Sequence, residues 1–394
     1  MAEQRRVERN RKKRHVEKIG VENKTEKRAI AYFDYNLLFL IIFLICFGLV
    51  MLYSSSSYIC ANSPKYKYDD AYYLKLQLRN ALFGAVGMMA LVFIDYRIWK
   101  RFALLAYFVS IGLCVAVIFV GAESHGSTRW IDLGPISFQP SEVAKVGIII
   151  FLAMVLEKAA KKLGDWRNLA KVFGLLLPVV GAVAYNNLST AIIIMGIAVC
   201  MIFVASPKYS HFLVLGGAGV ALAVVGILAF PYRMGRVDAW LHPETASSDA
   251  VYQTLQGLYA IGSGGLFGKG LGESLQKMGN VPESQNDMIF TIICEELGLF
   301  GAVSLILLFM LVIWRMMVIA NNAPDLFGSL IVVGVMSHIA IQVILNIAVV
   351  TNSIPNTGVI LPFISYGGTS FAILMCEVGL VLGVSRTIRL ENIK

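Results

Sequence analysis

The stretch NLLFLIIFLICFGLVMLYSSSS, Asn36 to Ser57, decides the class of fold. It holds no charged side chain. As a helix at 1.5 Å per residue it is about 33 Å long, enough to cross a hydrocarbon core of about 30 Å. In lipid every backbone N–H and C=O must be satisfied within the segment, and a helix does this.

Working outward, nine further apolar runs fall at about 77–95, 101–121, 141–157, 170–185, 189–205, 211–230, 287–314, 326–350 and 359–384. The pair 170–185 and 189–205 is split by Asn186-Asn187, which predicts a tight turn. The composition agrees: 57% of the 394 residues are hydrophobic and only 15% charged, against roughly 45–50% and 25% in soluble domains. Mean hydropathy is +0.70. A secreted domain, a cytosolic enzyme and a disordered chain are excluded. So is an outer-membrane barrel, whose strands alternate in short segments. The fold class is therefore an all-α polytopic membrane protein with about ten transmembrane helices and one large extracytoplasmic loop, 231–286, between helices 7 and 8. Loops of that length are usually functional. This one carries Arg233, Arg236, Trp240 and a Gly-rich stretch, and predicts short helices lying over the membrane surface.

The net charge of +9 invites a nucleic-acid reading, which the distribution opposes, because eleven of the 34 Lys and Arg precede Ala29. A basic tail beside a span reads as a topology signal or a contact with anionic lipid. With ten spans, the connections on the side of the termini hold 24 of the 34 Lys and Arg, which places both termini in the cytoplasm. The organisation expected is a disordered basic cytoplasmic tail (1–35), a ten-helix domain (36–386) and a short cytoplasmic tail (387–394). Six scattered cysteines without a CxxC or Cys/His pair indicate neither a disulfide framework nor a zinc site. A cleavable signal peptide is not expected, since the first run is long enough to span and lacks a small-residue cleavage site.

Ionisable groups inside spans cost at least roughly 2.5–3.5 kcal/mol each and need partners or a function. Glu142 and Lys145, in Gln139-Pro-Ser-Glu-Val-Ala-Lys145, are three apart and share a helix face. They either neutralise one another or line a polar cavity. Asp287 opens the eighth span, where it is either a helix cap favoured by the dipole or a general base at the water–lipid boundary. At most one of Glu295 and Glu296 can share its face. Arg129, Arg233 and Arg236 are outer-side guanidiniums, suited to phosphate or to headgroup anchoring. The stretch 260–272 fails as a phosphate loop or a dinucleotide fingerprint, although its amides could form an anion nest. His338, Gln342 and Asn346 form a polar stripe, more often interhelical glue than a site.

These residues resemble the SEDS family, the group of RodA, FtsW and SpoVE, over nearly the whole chain after the tail. The specific pieces are Arg129-Trp130, Gln139-Pro140-Ser141-Glu142 with Lys145, Pro231-Tyr232-Arg233 with Arg236, Tyr252-Gln253, the stretch 262–272, and Gln276-Lys277. They continue with Pro282-Glu283, Asp287-Met288-Ile289-Phe290, Glu295-Glu296-Leu297-Gly298 and Leu361-Pro362-Phe363-Ile364-Ser365-Tyr366-Gly367-Gly368-Thr369-Ser370. The resemblance implies a peptidoglycan glycosyltransferase of the cytoplasmic membrane, with its active site on the outer face. Its substrate would be lipid II, an undecaprenyl diphosphate carrying a disaccharide-peptide. Its partners would be a class B penicillin-binding protein and other divisome membrane proteins. The basic tail and Tyr53-Ser-Ser-Ser-Ser57 resemble the division member more than the elongation member. The family's essential aspartate falls on Asp287. Arg129, Glu142, Lys145, Arg233, Arg236, Gln253, Ser263 and Lys269 form the candidate substrate-binding set. The turn Tyr185-Asn-Asn-Leu-Ser-Thr190 lacks the carboxylate many members carry there and receives no catalytic role. No metal-ligand cluster is visible, though a divalent cation, Mg or Mn, could assist. The rival classes are a flippase for lipid-linked precursors, for which an inverted repeat would speak and none is seen, and a non-catalytic division scaffold.

Overall fold

The computed structural model describes residues 32–124, 127–132, 137–206, 208–228, 234, 237, 240–241 and 249–388. Within them the chain forms α1 (Tyr35–Ala61), α2 (Tyr72–Phe93) and α3 (Arg97–Val120), then three short strands, β1 (Ala122–Ser124), β2 (Ser127–Asp132) and β3 (Ser137–Phe138). There follow α4 (Pro140–Ala159), α5 (Trp166–Asn186), α6 (Leu188–Ala205), α7 (Tyr209–Leu228), α8 (Asp249–Ser263), α9 (Ile289–Asn322), α10 (Leu326–Val350) and α11 (Thr369–Ser385). Ten of these helices fall on the ten apolar runs. The strands pair antiparallel in the order β1-β2-β3, a small addition to the all-α reading. Arg233 and Arg236 lie outside the described residues.

Seven helices, α1, α2, α3, α5, α6, α9 and α10, are long and apolar enough to cross a membrane. Their outward faces carry Phe39, Leu82, Phe102 and Leu307, all exposed, as lipid-facing helices require. The charged α4 differs: it is buried along most of its length, against α3, α6 and α10. A span that carries Glu142 and Lys145 is thus enclosed by protein rather than lipid. The expected turn between α5 and α6 is present: α5 ends at Asn186, and the Asn187 side chain caps α6 by accepting from Thr190 N at 3.1 Å.

The first and last described residues meet on one face. Tyr32 N donates to Ile388 O at 3.0 Å, and Asp34, which caps α1, pairs with Arg315 near the end of α9 at 2.6 Å. On the same face Asp325 caps α10 and accepts from Tyr96 Oη (2.7 Å) and Arg97 Nε (3.0 Å). Burial alone would raise the Asp325 carboxyl, but the Gly328 N–H, the Tyr96 hydroxyl and Arg97 outweigh it and hold the group below the usual carboxylate range.

Two elements depart from the sequence reading. The final run, expected to span from 359, becomes helical only at Thr369. Residues 351–368 instead form a folded segment with Pro355 and Pro362, and with positive φ at Gly358, Phe363 and Gly368. Leu361, Phe363 and Ile364 are buried in protein, so their apolarity reports a core rather than a crossing. In the loop before α9, described from residue 249 onward, α8 packs along α9.

The second departure is a break in α9. Gly298 has φ 67° and ψ −166°, outside helical geometry. The Gly-rich segment 264–270 enters the break and satisfies both broken ends. Lys269 N and Gly270 N donate to Glu295 O (2.9 Å) and Glu296 O (3.0 Å), while Leu299 N and Phe300 N donate to Gly265 O (2.9 Å) and Leu266 O (3.1 Å). Of the amides suggested for an anion nest, those of Gly264, Gly268, Lys269 and Gly270 are therefore committed to protein carbonyls.

Candidate active site

Asp287 lies half-buried just before α9, at the opposite end of that helix from the Arg315–Asp34 pair. It is not the N-cap residue of α9: the first helical residue is Ile289 and the N-cap is Met288, which makes no side-chain cap bond. The carboxylate instead accepts from Gln253 Nε2 of α8 at 3.4 Å, and the same amide nitrogen reaches Pro282 O at 3.3 Å. Gln253 Oε1 accepts in turn from Asn356 Nδ2 at 3.0 Å. Gly358 takes positive φ, and a methyl group placed on it would lie 3.8 Å from Asp287 Oδ2, so glycine keeps that side of the carboxylate open. From below, Asn346 Nδ2 on α10 holds the Asp287 backbone carbonyl and Val359 O, each at 2.7 Å. Three amide side chains and a glycine thus fix a carboxylate at the mouth of the bundle.

Arg129 borders the same region. Its Nε donates to Asn186 O at 3.2 Å at the α5–α6 turn, and three residues on Ser189 Oγ donates to Thr357 O at 3.0 Å, next to Gly358. Trp240 Nε1 donates to Asn352 O at 2.9 Å, tying the large loop to the same 351–368 segment.

Beneath this mouth, Glu142 and Lys145 form an ion pair at 2.9 Å, with side-chain exposures of 9% and 1%. The two neutralise one another, and Glu142 also lines a small cavity whose wall mixes polar and apolar side chains. That cavity is closed by His338 and Gln342 of α10, Ser365 and Phe363 of the 351–368 segment, and Ser370 of α11. Asn346, Gln342 and His338 therefore form one face of α10 running from Asp287 inward.

Ser263 and Lys269 are brought to a different place. Both bond to Glu295, Lys269 Nζ at 2.6 Å and Ser263 Oγ at 3.3 Å, and Ser274 Oγ and Gln276 N join them. Glu296, on the opposite side of the helix, pairs with Lys277 Nζ at 2.9 Å and accepts from Ser54 Oγ at 2.6 Å. Both glutamates are fully buried and anchor the segment 263–277 to α9 and α1. Sequence reasoning missed Asn356, Gly358 and Glu377. A turn signal, Pro355-Asn-Thr-Gly358, marked the first two, and a lone carboxylate inside an apolar run marked the third. Among the described residues no three His, Cys, Asp or Glu side chains converge on a point where a metal ion could sit. The described side chain that bonds the Asp287 carboxylate is the Gln253 amide, so among the described residues no carboxylate cluster is supplied for the Mg or Mn ion considered from the sequence.

A helical membrane bundle with a carboxylate at one mouth and a buried ion pair beneath it defines a class, and comparison with known proteins gives its family. A family described as cell cycle proteins, the FtsW/RodA/SpoVE group, matches residues 35–390. The chain is 40% identical to the stage V sporulation protein E of Bacillus subtilis (strain 168), over 90% of this chain and 97% of that one. It is 37% identical to a probable peptidoglycan glycosyltransferase FtsW of Geobacter sp. (strain M18), over 92% and 99%. Among solved structures it resembles a chain of a peptidoglycan synthase complex that coordinates polymerization and crosslinking (TM-score 0.74, 27% identity, 90% and 98% covered). It also resembles the crystal structure of the rod-shape-determining protein RodA of Thermus thermophilus (TM-score 0.67, 28% identity, 91% and 98% covered). The chain belongs to the FtsW/RodA/SpoVE family.

Proposed function

We propose that this chain is a peptidoglycan glycosyltransferase that polymerises lipid II into glycan strands at the outer face of the cytoplasmic membrane, serving the septal wall, with Asp287 as its general base. The observation that carries the assignment is Asp287 itself: a half-buried carboxylate outside the N-cap position of α9, held by Gln253 and by Asn346 through its backbone. In the reaction Asp287 takes the proton from the 4-hydroxyl of an acceptor sugar, that oxygen attacks the anomeric carbon of the donor, and undecaprenyl diphosphate leaves. A positioned base is worth about 10²–10⁴-fold. Gln253 orients the carboxylate. Arg129, Arg233 and Arg236 are assigned to the leaving diphosphate, whose charge suits a guanidinium fork. Lys145 and Glu142 form the polar floor. Ser263 and Lys269 act through Glu295, holding the loop that carries Gln276 and Lys277.

Both termini are assigned to the cytoplasm, in line with the concentration of Lys and Arg on their side. Asp287 is assigned to the opposite face, where lipid-linked precursors are polymerised. A class B penicillin-binding protein is the proposed partner, supported by the likeness to a chain of a synthase complex. A flippase would be expected to turn unwound helix ends toward its substrate, whereas both broken ends of α9 are filled by the chain's own loop.

The test is Asp287→Asn in the purified full-length protein, assayed with lipid II with and without the transpeptidase. Strand synthesis should be lost while thermal stability is kept, and Asp287→Glu should retain part of the activity at most. Normal polymerisation by the Asn variant overturns the assignment.

A further inference from the structure

A second acid–base unit lies deeper in the membrane domain, and the reaction above does not use it. His338 on α10 and Glu377 on α11 are 1% and 0% exposed, and His338 Nδ1 stands 2.7 Å from Glu377 Oε2. The pair is incompletely satisfied: His338 Nε2 and Glu377 Oε1 have no hydrogen-bond partner among the described residues. Leaving such buried groups unmet is unfavourable, because their hydration is lost and nothing replaces it. His338 lines the cavity that Glu142, Gln342, Ser365 and Ser370 also line, a space that suits about one water molecule with several polar partners.

We propose that His338 and Glu377 form an intramembrane acid–base pair that exchanges a proton with Glu142 through one water molecule held in this cavity. In the exchange the His338 Nε2–H bond breaks as the water takes that proton. A water O–H bond breaks as its proton passes to the Glu142 carboxylate. The imidazole left behind keeps its Nδ1–H bond to Glu377, and the reverse step restores the starting state, so no atom is gained or lost. One unit of positive charge moves from the dyad toward Lys145, which is left without its counter-charge. On the proposed reaction, from which this consequence follows, Lys145 then offers an uncompensated ammonium to the departing diphosphate. Charged groups on the packed helices have partners: Lys145 pairs with Glu142, Glu295 with Lys269, Glu296 with Lys277, Lys75 with Asp69, Glu157 with Lys100 and Arg315 with Asp34, and Arg79 on α2 is also engaged. The thiols on these helices are Cys200 on α6, Cys294 on α9 and Cys376 beside Glu377.

The test uses the full-length protein in lipid nanodiscs without lipid II, followed by infrared difference spectroscopy across a pH titration. Wild type should show a carboxylic-acid C=O band that Glu142→Gln removes. Its midpoint should move by at least about one pH unit, a tenfold change in the proton equilibrium, in His338→Gln and in Glu377→Gln. Where Glu377→Gln does not fold, His338→Gln alone decides, because its amide can still donate to Glu377. A Glu142 band that titrates identically in folded His338→Gln overturns the proposal, as does the absence of any band sensitive to Glu142→Gln. The pH–rate profile of strand synthesis should move with the band, and an unmoved profile would confine the pair to a structural role and overturn it likewise. Failure of the glycosyltransferase assignment appears separately, as wild-type protein that makes no polymer while the infrared result stands.

Discussion

Replacing Gly298 by Ala attacks the join between the outer loop and α9. The residue has φ 67° and ψ −166°, a region that side chains other than glycine's occupy at about 1–3 kcal/mol. The added methyl would overlap Gly268 N and the Leu266 carbonyl group, with Leu266 C at 2.6 Å. These are backbone atoms, so no rotamer change relieves the overlap and the loop must withdraw. Withdrawal breaks the four bonds made by Lys269 N, Gly270 N, Leu299 N and Phe300 N, each worth about 0.5–1.5 kcal/mol net. The sum is on the order of 3–9 kcal/mol, a large part of a typical total of about 5–15 kcal/mol. Thermal unfolding of the purified protein in detergent should shift down by on the order of 5–10 °C or more, with faster proteolysis between residues 264 and 276. Gly262→Ala is the control: it lies near the end of α8 with open space around it, and its effect should stay within about 0.5 kcal/mol. A Gly298→Ala protein with wild-type melting and wild-type proteolysis would refute the account of the break.

Three further outcomes are expected. Neutralising either Glu142 or Lys145 alone should cost about 3–5 kcal/mol by stranding a buried charge, whereas the swap Glu142→Lys with Lys145→Glu should restore melting better than strand synthesis; single variants with wild-type melting would show that the pair is not buried. Lys277→Met should destabilise through Glu296, which would keep only Ser54, and adding Glu296→Gln should recover much of the loss in the same melting assay. Asp325 contributes stability that is present above the ordinary carboxylate value of about 3.9 and is lost as pH falls below it through the lowered folded-state value. Asp325→Asn should flatten that acid limb in a pH series of melting curves, and an unchanged limb would count against the network with Tyr96 and Arg97.

Much of this architecture is legible in the sequence because lipid imposes a simple rule on length and apolarity. The ten runs, the Asn186-Asn187 turn and the Glu142–Lys145 spacing all follow from it. The rule fails where apolar residues are buried in protein instead. Leu361, Phe363 and Ile364 read as part of a crossing, yet they pack in a folded segment because Pro355, Pro362 and the left-handed positions 358, 363 and 368 forbid a helix there. The Gly-rich stretch reads in sequence only as a possible anion nest; its actual counterpart, the broken turn at Gly298, lies about 30 residues away, and no local pattern pairs the two. Glu295 and Glu296 were legible as costly; their lysines, Lys269 and Lys277, could be matched to them only in three dimensions. Around Asp287 the sequence left cap and base open, and it is the start of α9 two residues later that separates them.

The filled break in α9 also has a mechanical meaning. A continuous helix would transmit nothing from a surface loop that merely rests on it. Here the loop is stitched into the helix, so segment 264–270 and the helix beyond Gly298 form one stiff rod. That rod runs from Gly298 to Arg315, about 25 Å at 1.5 Å per residue, and ends in the Asp34 clasp beside the contact between Tyr32 and Ile388. Moving the loop means either carrying this length of helix with it or breaking the four backbone hydrogen bonds that join them.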